Sequence, residues 1–464
     1  MASRLPFMAE RLWEWDSVLY ARALEQGFHV DEALPGMRPH PPGYIFYVAA
    51  AGLGRLLGLD SDHALVAVSV IASGAAVAAT YLLCRRFAGR AISLALAIAF
   101  VAAPLVWLHG EVAMPYILLA PVSALLALAF RDARGGSARR VIGTSFAFGA
   151  LAGFRQDLIL FLLPLWLWTL WPAGRARLRA AGAFVAGCLL WFAPSAVLSD
   201  GPTQYVTRTF RQLLNTSAVS ANSERSLALN AVLVGHALLW AGLGLSVLLL
   251  VLGLARALAA ARGQRRSDDG EAVFFGLWLL PPLAFYLFVH IGEWGFVLSM
   301  VPGMYVLLAW LLRDVARNSA GQSLATALVL ANAAGCALLF LAGDDPVFSR
   351  ASLVAHDVAT ETKTAWIRAQ APAASVIVAA AEVLVASYYL PDRTIRYSSA
   401  TATTTYDLPI GGPTTIVIYE PAARPPDLPV TRTIDLGRGV TIELADVTSG
   451  TLRLRGADIG DTRR

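Results

Sequence analysis

Residues 63–100 read HALVAVSVIASGAAVAATYLLCRRFAGRAISLALAIAF. Two long apolar runs flank a short loop, CRRFAGR, whose arginines are Arg85, Arg86 and Arg90. A helix crosses the bilayer core with roughly 20 mostly apolar residues. Both runs reach about that length. Arginine collects in the short cytoplasmic loops of membrane proteins, so the loop reads as a turn on that side.

The pattern recurs along the chain. About ten such runs are legible on the length criterion, at 62–84, 90–108, 112–130, 139–154, 156–172, 178–198, 227–255, 272–290, 295–313 and 321–342. Of the 464 residues, 57% are hydrophobic and 15% charged, with a mean hydropathy of +0.59. Soluble domains carry about 25% charged residues. The chain is therefore a polytopic membrane protein and not a large soluble helical one. Its net charge is +5 and its pI about 9.2. The arginine-rich loops account for that charge, and no nucleic-acid partner is implied. The only lysine is Lys363. Cys84, Cys188 and Cys336 lie in apolar stretches, with neither metal-ligand nor disulfide spacing, and read as small packing residues.

Loop charge alternates. CRRFAGR, RDARGGSARR, GRARLR, ARGQRRSDDGE and RDVARN are basic and assigned to the cytoplasm. HGEVAMP, FRQD, residues 199–226 and HIGEWG then face outward. The same alternation puts residues 1–61 and the tail after 342 outside. Delivering an outside N-terminus needs an earlier span, so an apolar run of about 20 residues is expected upstream of Met1. The stretch 44–59, YIFYVAAAGLGRLLGL, reads as an amphipathic helix lying along the outer interface. The expected organisation is an outer acidic segment with an HPPG turn and interfacial helix (1–61), a transmembrane bundle (62–342) and an outer C-terminal domain (343–464). In that tail ASVIVAA, TTIVIYE and VTIELADV read as strands, a helix is expected near 350–370, and the end, GADIGDTRR, as disordered.

Ionisable groups near a membrane are costly, by roughly 2.5–3.5 kcal/mol on insertion scales, and so mark functional candidates. Here they fall on the outward side. Glu14 and Asp16 sit in RLWEWDSVLY (11–20), and His40 in RPHPPGYIFY (38–47). His109 and Glu111 follow the second run. Arg155 and Asp157 share a tight turn, Arg208 and Arg211 lie in the long outer loop, and His290 and Glu293 follow the eighth run. A carboxylate serves as a general base, and Arg or His meets the charge of a leaving phosphate. Structural roles stand beside these. Asp16 caps a helix starting at Ser17, Glu14 is an interfacial acid beside its tryptophans, Glu111 caps a helix near Val112, Arg155 and Asp157 form an ion pair, and His290 is a satisfied interfacial histidine.

With these residues in hand, the chain resembles the GT-C superfamily of multi-span glycosyltransferases that use polyprenyl-phosphate sugars, in its protein O-mannosyltransferase-like branch. WEWDSVLYARAL resembles the acidic motif of their first outer loop, and RPHPPGYIFYVAAAGLGRLLG the Pro-rich turn leading to an amphipathic helix. VWLHGEVAMPYILLA is similar to the second acidic loop, and LWLLPPLAFYLFVHIGEWGFVLSMVPG to the late span pair. The likeness runs from residue 1 to about 342. Leu19 stands where some relatives carry a second acid, and Glu14 substitutes for it in part.

The resemblance implies an all-α polytopic bundle with a small C-terminal α/β domain, in the plasma membrane with its site outside. It implies Asp16 as general base on an acceptor hydroxyl, which attacks the anomeric carbon with inversion. Arg155, Arg208 or His290 holds the departing polyprenyl phosphate. His40, Tyr44 and Arg211 complete the substrate-binding set. Glu111 orients the acceptor or holds a divalent cation, magnesium or manganese. The acceptor is a cell-envelope glycan, a glycolipid or a protein. A prenyl chain stays in the bilayer because each buried CH2 is worth about 0.8 kcal/mol, so the chemistry belongs at the membrane surface. Competing readings are a polysaccharide ligase or polymerase, a transporter or flippase, and an inactive scaffold of the same fold. The early acid Asp16 argues against the first. A transporter would place its ionisable groups at the midplane, often in inverted repeats, and no repeat is seen.

Overall fold

A computed structural model describes residues 3–31, 38–222, 227–262, 269–316, 318–425, 427–458 and 460. The chain forms two compact units. The first comprises Met1–Met8 with Pro41–Ser352, and the second Ala9–His40 with Leu353–Arg464.

The first unit is helical. Among the described residues, five helices are long and apolar enough to cross a membrane: Ser61–Cys84, Pro115–Ala133, Ala176–Val197, Gly270–Phe288 and Ser319–Ala342. The apolar run at 227–255 is two helices, Leu227–Trp240 and Gly244–Leu258, bent by 111° at the break. Counted as one span, the pair makes six. The run at 90–108 divides where Pro104 opens a new helix, Pro104–His109, after Arg90–Ala102. The run at 295–313 starts as a 3-10 turn, Trp294–Ser299.

A broken span exposes backbone carbonyls that lipid cannot satisfy. Here they are met from other helices: Tyr305 Oη donates to the Ala241 carbonyl at 2.9 Å and Asn332 Nδ2 to the Gly242 carbonyl at 3.0 Å. The helices Ala138–Leu151 and Ala176–Val197 approach through glycines. A Cβ on Gly149 would collide with the Phe184 carbonyl oxygen, and one on Gly187 with that of Phe146. Small residues at such crossings let backbones close in, as membrane helix pairs require. The helix Ile45–Leu56 follows the Pro-rich turn. Its 12 residues span about 18 Å, short of the roughly 30 Å hydrocarbon core. Ile45, Tyr47, Val48 and Ala51 are buried, while Leu53 and Leu56 stand exposed.

The second unit contains seven strands among its described residues. They are β1 (Val376–Ala379), β2 (Thr394–Tyr397), β3 (Thr405–Ile410), β4 (Thr414–Ile418), β5 (Arg432–Asp435), β6 (Thr441–Val447) and β7 (Gly450–Arg455). Five make a sheet ordered β2-β1-β4-β6-β5, while β3 and β7 pair separately. β1 runs parallel to β2 and β4, and β6 antiparallel to β4 and β5. Val378, Ile416, Ile418 and Ala445 share a core with Ile410, Leu452 and Leu454 of the β3–β7 pair. The helix Arg350–Gln370 matches the one expected near 350–370. Of the end read as disordered, residues 459 and 461–464 lie outside the described residues.

Gly149→Ala is expected to lower the thermal midpoint by several degrees. Overpacking costs about 1–3 kcal/mol, and each kcal/mol moves the midpoint by about 2–4 °C in a large domain. Gly182→Ala, on the helix Ala176–Val197 but facing open space, leaves it unchanged. Scanning fluorimetry of the two variants makes the comparison.

Candidate functional site

The acidic stretch belongs to the second unit, and tail residues hold it. The Asp357 carboxylate accepts from the Glu10 and Arg11 amides at 3.0 and 3.1 Å. The Leu12 amide donates to Tyr389 Oη at 2.9 Å, and Arg22 Nη2 to Ser387 Oγ at 2.9 Å. Trp15 Nε1 donates to the Ala381 carbonyl. The turn offering that carbonyl is itself fixed. Glu420 Oε1 accepts from the amides of Ala380 (2.8 Å) and Glu382 (2.9 Å). Lys363 pairs with Glu382 at 3.1 Å and lies 4.4 Å over the Tyr419 ring. The sole lysine of the chain thus braces the turn on which Trp15 rests.

The helix Trp15–Gln26 opens with Glu14 as N-cap, whose amide donates to Ser17 Oγ at 3.3 Å. Asp16 is therefore not the cap of a helix starting at Ser17. It lies in the first helical turn, where a negative charge meets the positive end of the backbone dipoles. His40 Nε2 stands 3.2 Å from Asp16 Oδ1. The acid and the histidine of the Pro-rich turn are brought together, both partly exposed, at 22% and 35%. Burial, with the Asp16 charge beside it, pushes the Glu14 carboxyl up to about 7, against a hydrogen bond from Trp13. Leu19 is buried and packs as an ordinary apolar residue.

The first unit holds two more constellations. Arg155 is buried and makes a two-point ion pair with Asp157, Nη2 to Oδ2 at 2.8 Å and Nε to Oδ1 at 3.3 Å. Three rings box its guanidinium: Tyr44 at 4.7 Å, Tyr116 at 4.9 Å and Phe296 at 5.0 Å. The ion pair expected between the two residues is formed, and Arg155 Nη1 has no hydrogen-bond partner among the described residues. The Pro-rich turn explains Tyr44. Gly43 (φ 89°) and Tyr44 (φ 47°) both take the left-handed region, which turns the chain into the helix Ile45–Leu56. Tyr205 Oη donates to the Pro42 carbonyl at 2.9 Å, tying the turn to the helix Pro202–Asn222. Gly295 is needed beside the box, because a Cβ there would press on the Tyr116 ring at 2.7 Å.

Glu111 is fully buried. It caps no helix near Val112, because the next helical segment is the 3-10 turn Pro115–Leu118, with Met114 as N-cap. Its Oε1 accepts from Trp107 Nε1 and stands 3.7 Å from Arg4 Nη1. Arg4 lies 4.6 Å over the Trp107 ring and donates from Nη2 to the Val101 carbonyl at 2.7 Å. Burial pushes the Glu111 carboxyl up, while Arg4, Trp107 and Arg350 pull it back. His109 is buried against Tyr116, with neither ring nitrogen bonded among the described residues, and burial depresses its basicity to about 3.

Arg208 pairs with Asp200 at 2.8 Å, so its charge is already met by a carboxylate. Arg211, on the same helix, is exposed. His290 packs edge-on to Phe296 at 6.1 Å, beside the Arg155 box. Among the described residues no three His, Cys, Asp or Glu side chains gather to hold a metal ion. Sequence reasoning passed over Arg4, Trp107, Tyr116, Phe296 and Lys363. Lys363 alone carried a signal, as a single lysine in an arginine-only chain.

No protein-family model and no curated protein matches this sequence. Among solved structures, the chain is similar to ArnT from Cupriavidus metallidurans in the apo state. The TM-score is 0.57 at 13% identity, over 96% of this chain and 95% of that one. It is similar also to the same ArnT bound to undecaprenyl phosphate, with a TM-score of 0.58 at 14% identity over 96% and 95%. The fold is thus shared with ArnT, in keeping with the multi-span bundle and C-terminal α/β domain expected from the sequence, and the chain is a multipass membrane protein.

Two outcomes follow from these charges. The native Glu14 holds its proton to about pH 7, whereas an unfolded glutamate releases it near 4.5. Stability from this group is therefore lost as pH rises through that window. Glu14→Gln should flatten the fall of the thermal midpoint between about pH 5 and pH 8, and parallel profiles would contradict the assignment. Arg4→Met leaves the buried Glu111 carboxyl without its cation and should lower the denaturation midpoint, most of the loss being recovered in Arg4→Met/Glu111→Gln. Denaturation of the three proteins in mixed micelles provides the test.

Proposed function

We propose that this protein is an integral-membrane glycosyltransferase. It takes a sugar from a polyprenyl-phosphate donor and transfers it, with inversion, to a hydroxyl on the extracytoplasmic side of the plasma membrane. The observation that carries the reading is the fold likeness, over nearly the whole chain, to an ArnT solved with undecaprenyl phosphate. It is supported by an acid, Asp16, that keeps contact with solvent beside a histidine.

In this reading Asp16 is the general base. The acceptor hydroxyl gives its proton to the Asp16 carboxylate, and its oxygen bonds to the anomeric carbon from the face opposite the phosphate. The bond between that carbon and the phosphate oxygen breaks, and its electron pair leaves with polyprenyl phosphate. His40 orients the Asp16 carboxylate. Arg155 meets the leaving charge. Asp157 and three rings hold its guanidinium rigid, and Nη1 is left to donate. Arg211 and His290 complete the donor set. Glu111 acts from the interior, tying the loop after Pro104–His109 to Trp107 and Arg4. The acceptor is a cell-envelope glycan, a glycolipid or a protein.

Native mass spectrometry of the protein released gently from its own membrane tests the donor class. A co-purifying polyprenyl-phosphate sugar is expected on the wild type and on Asp16→Asn, and is expected to be lost from Arg155→Ala. Bulk phospholipid alone on all three, after undecaprenyl phosphate has been added in excess, would overturn the reading.

A further inference from the structure

The second unit carries a cleft that the proposed reaction does not use. Its volume is about 360 Å3, within the size range of small-ligand sites. It lies where the C-terminal end of the helix Arg350–Gln370 meets the β4–β6–β5 side of the sheet. Sheet register builds one wall. Side chains two apart on a strand share a face, so Leu444 and Asp446 point the same way. Thr415 on β4 stands opposite Asp446, and Arg432 on β5 stands opposite Leu444. These four therefore form one patch. The helix supplies the other wall with Trp366 and Gln370, one turn apart.

The chemistry of this lining is specific. Trp366 offers an aromatic face and an indole N–H. Gln370 and Arg432 offer amide and guanidinium donors, and no side-chain hydrogen bond or ion pair occupies any of the three among the described residues. Asp446 accepts from Thr415 Oγ1 at 2.8 Å and retains further acceptor sites. Leu444 makes an apolar floor. One cation and one anion leave the cleft without net charge, which disfavours phosphate and acidic polymers. An apolar lipid would leave the donors unsatisfied. A ring with apolar C–H edges and a rim of hydroxyls meets every group: its face lies on the indole, and its hydroxyls pair with donors and acceptor together.

We propose that this cleft is a binding subsite for a neutral saccharide. It needs no transfer chemistry and stands whether or not the protein is a glycosyltransferase. The test is saturation-transfer NMR on the full chain in lipid nanodiscs, free of glycoside detergent. The probes are maltose, cellobiose, lactose and methyl α-mannopyranoside. At least one is expected to receive saturation. Trp366→Ala is expected to weaken its binding about tenfold or more, as truncating an aromatic anchor does. The exposed Arg432→Met should weaken it as well, which guards against a folding defect at Trp366, and Asp16→Asn should leave it unchanged. The proposal fails if no probe is saturated, or if both cleft variants bind as the wild type does. It fails also if binding disappears in Asp16→Asn and persists in Trp366→Ala, because the sugar would then occupy the proposed reaction site.

Discussion

A charge buried in so apolar a chain has to be met by a partner, and much of this structure is arranged around that constraint. Removing an ion from water costs several kcal/mol unless counter-charge and hydrogen bonds replace the lost hydration. Arg155 is met by Asp157 and three aromatic rings, Glu111 by Arg4 and Trp107, and Lys363 by Glu382 and Tyr419. Each constellation locks several chain segments into one geometry. Arg4 joins the first residues to the loop after Pro104–His109. Lys363 fixes the turn that receives Trp15.

Against that background Asp16 stands apart. Glu111 has no exposed surface, whereas Asp16 keeps 22% of its side chain open beside a partly exposed histidine. A buried, paired carboxylate exchanges protons poorly, and a partly exposed one beside an imidazole is suited to it. The division of labour between the two acids rests on this contrast. Glu111 is buried beside Arg4 and Trp107, and in the functional reading Asp16 is the general base. Glu14 falls between them, its proton retained by burial and by the neighbouring charge.

Much of the fold was legible because hydrophobic length and alternation are strong signals. The runs at 62–84 and 321–342 became the helices Ser61–Cys84 and Ser319–Ala342, and VTIELADV became β6. The break at residues 241–243 was not legible, since an apolar run does not record a bend that Tyr305 and Asn332 satisfy from distant helices. The motifs were readable as residue types but not as partners. The pairing of Asp16 with His40 spans 24 positions, and the docking of the acidic stretch on Asp357 and Tyr389 spans more than 340. Arg4 gave no sign in sequence, being one arginine among many. Its importance comes from burial, which only the fold creates.

General-base catalysis by Asp16 is read out by a single-turnover assay with purified protein in nanodiscs loaded with a radiolabelled polyprenyl-phosphate sugar. Release of sugar from the lipid is followed in the wild type and in Asp16→Asn, with membrane-extracted glycan and glycolipid as acceptor. Transfer by the wild type is expected. Asp16→Asn should bind the lipid equally well and react slower by about 10²–10⁴-fold, the range expected for loss of a general base. A wild-type protein that holds the lipid and leaves its sugar in place would rule out transfer from this donor, and an Asp16→Asn variant that transfers at the wild-type rate would rule out Asp16 as the base.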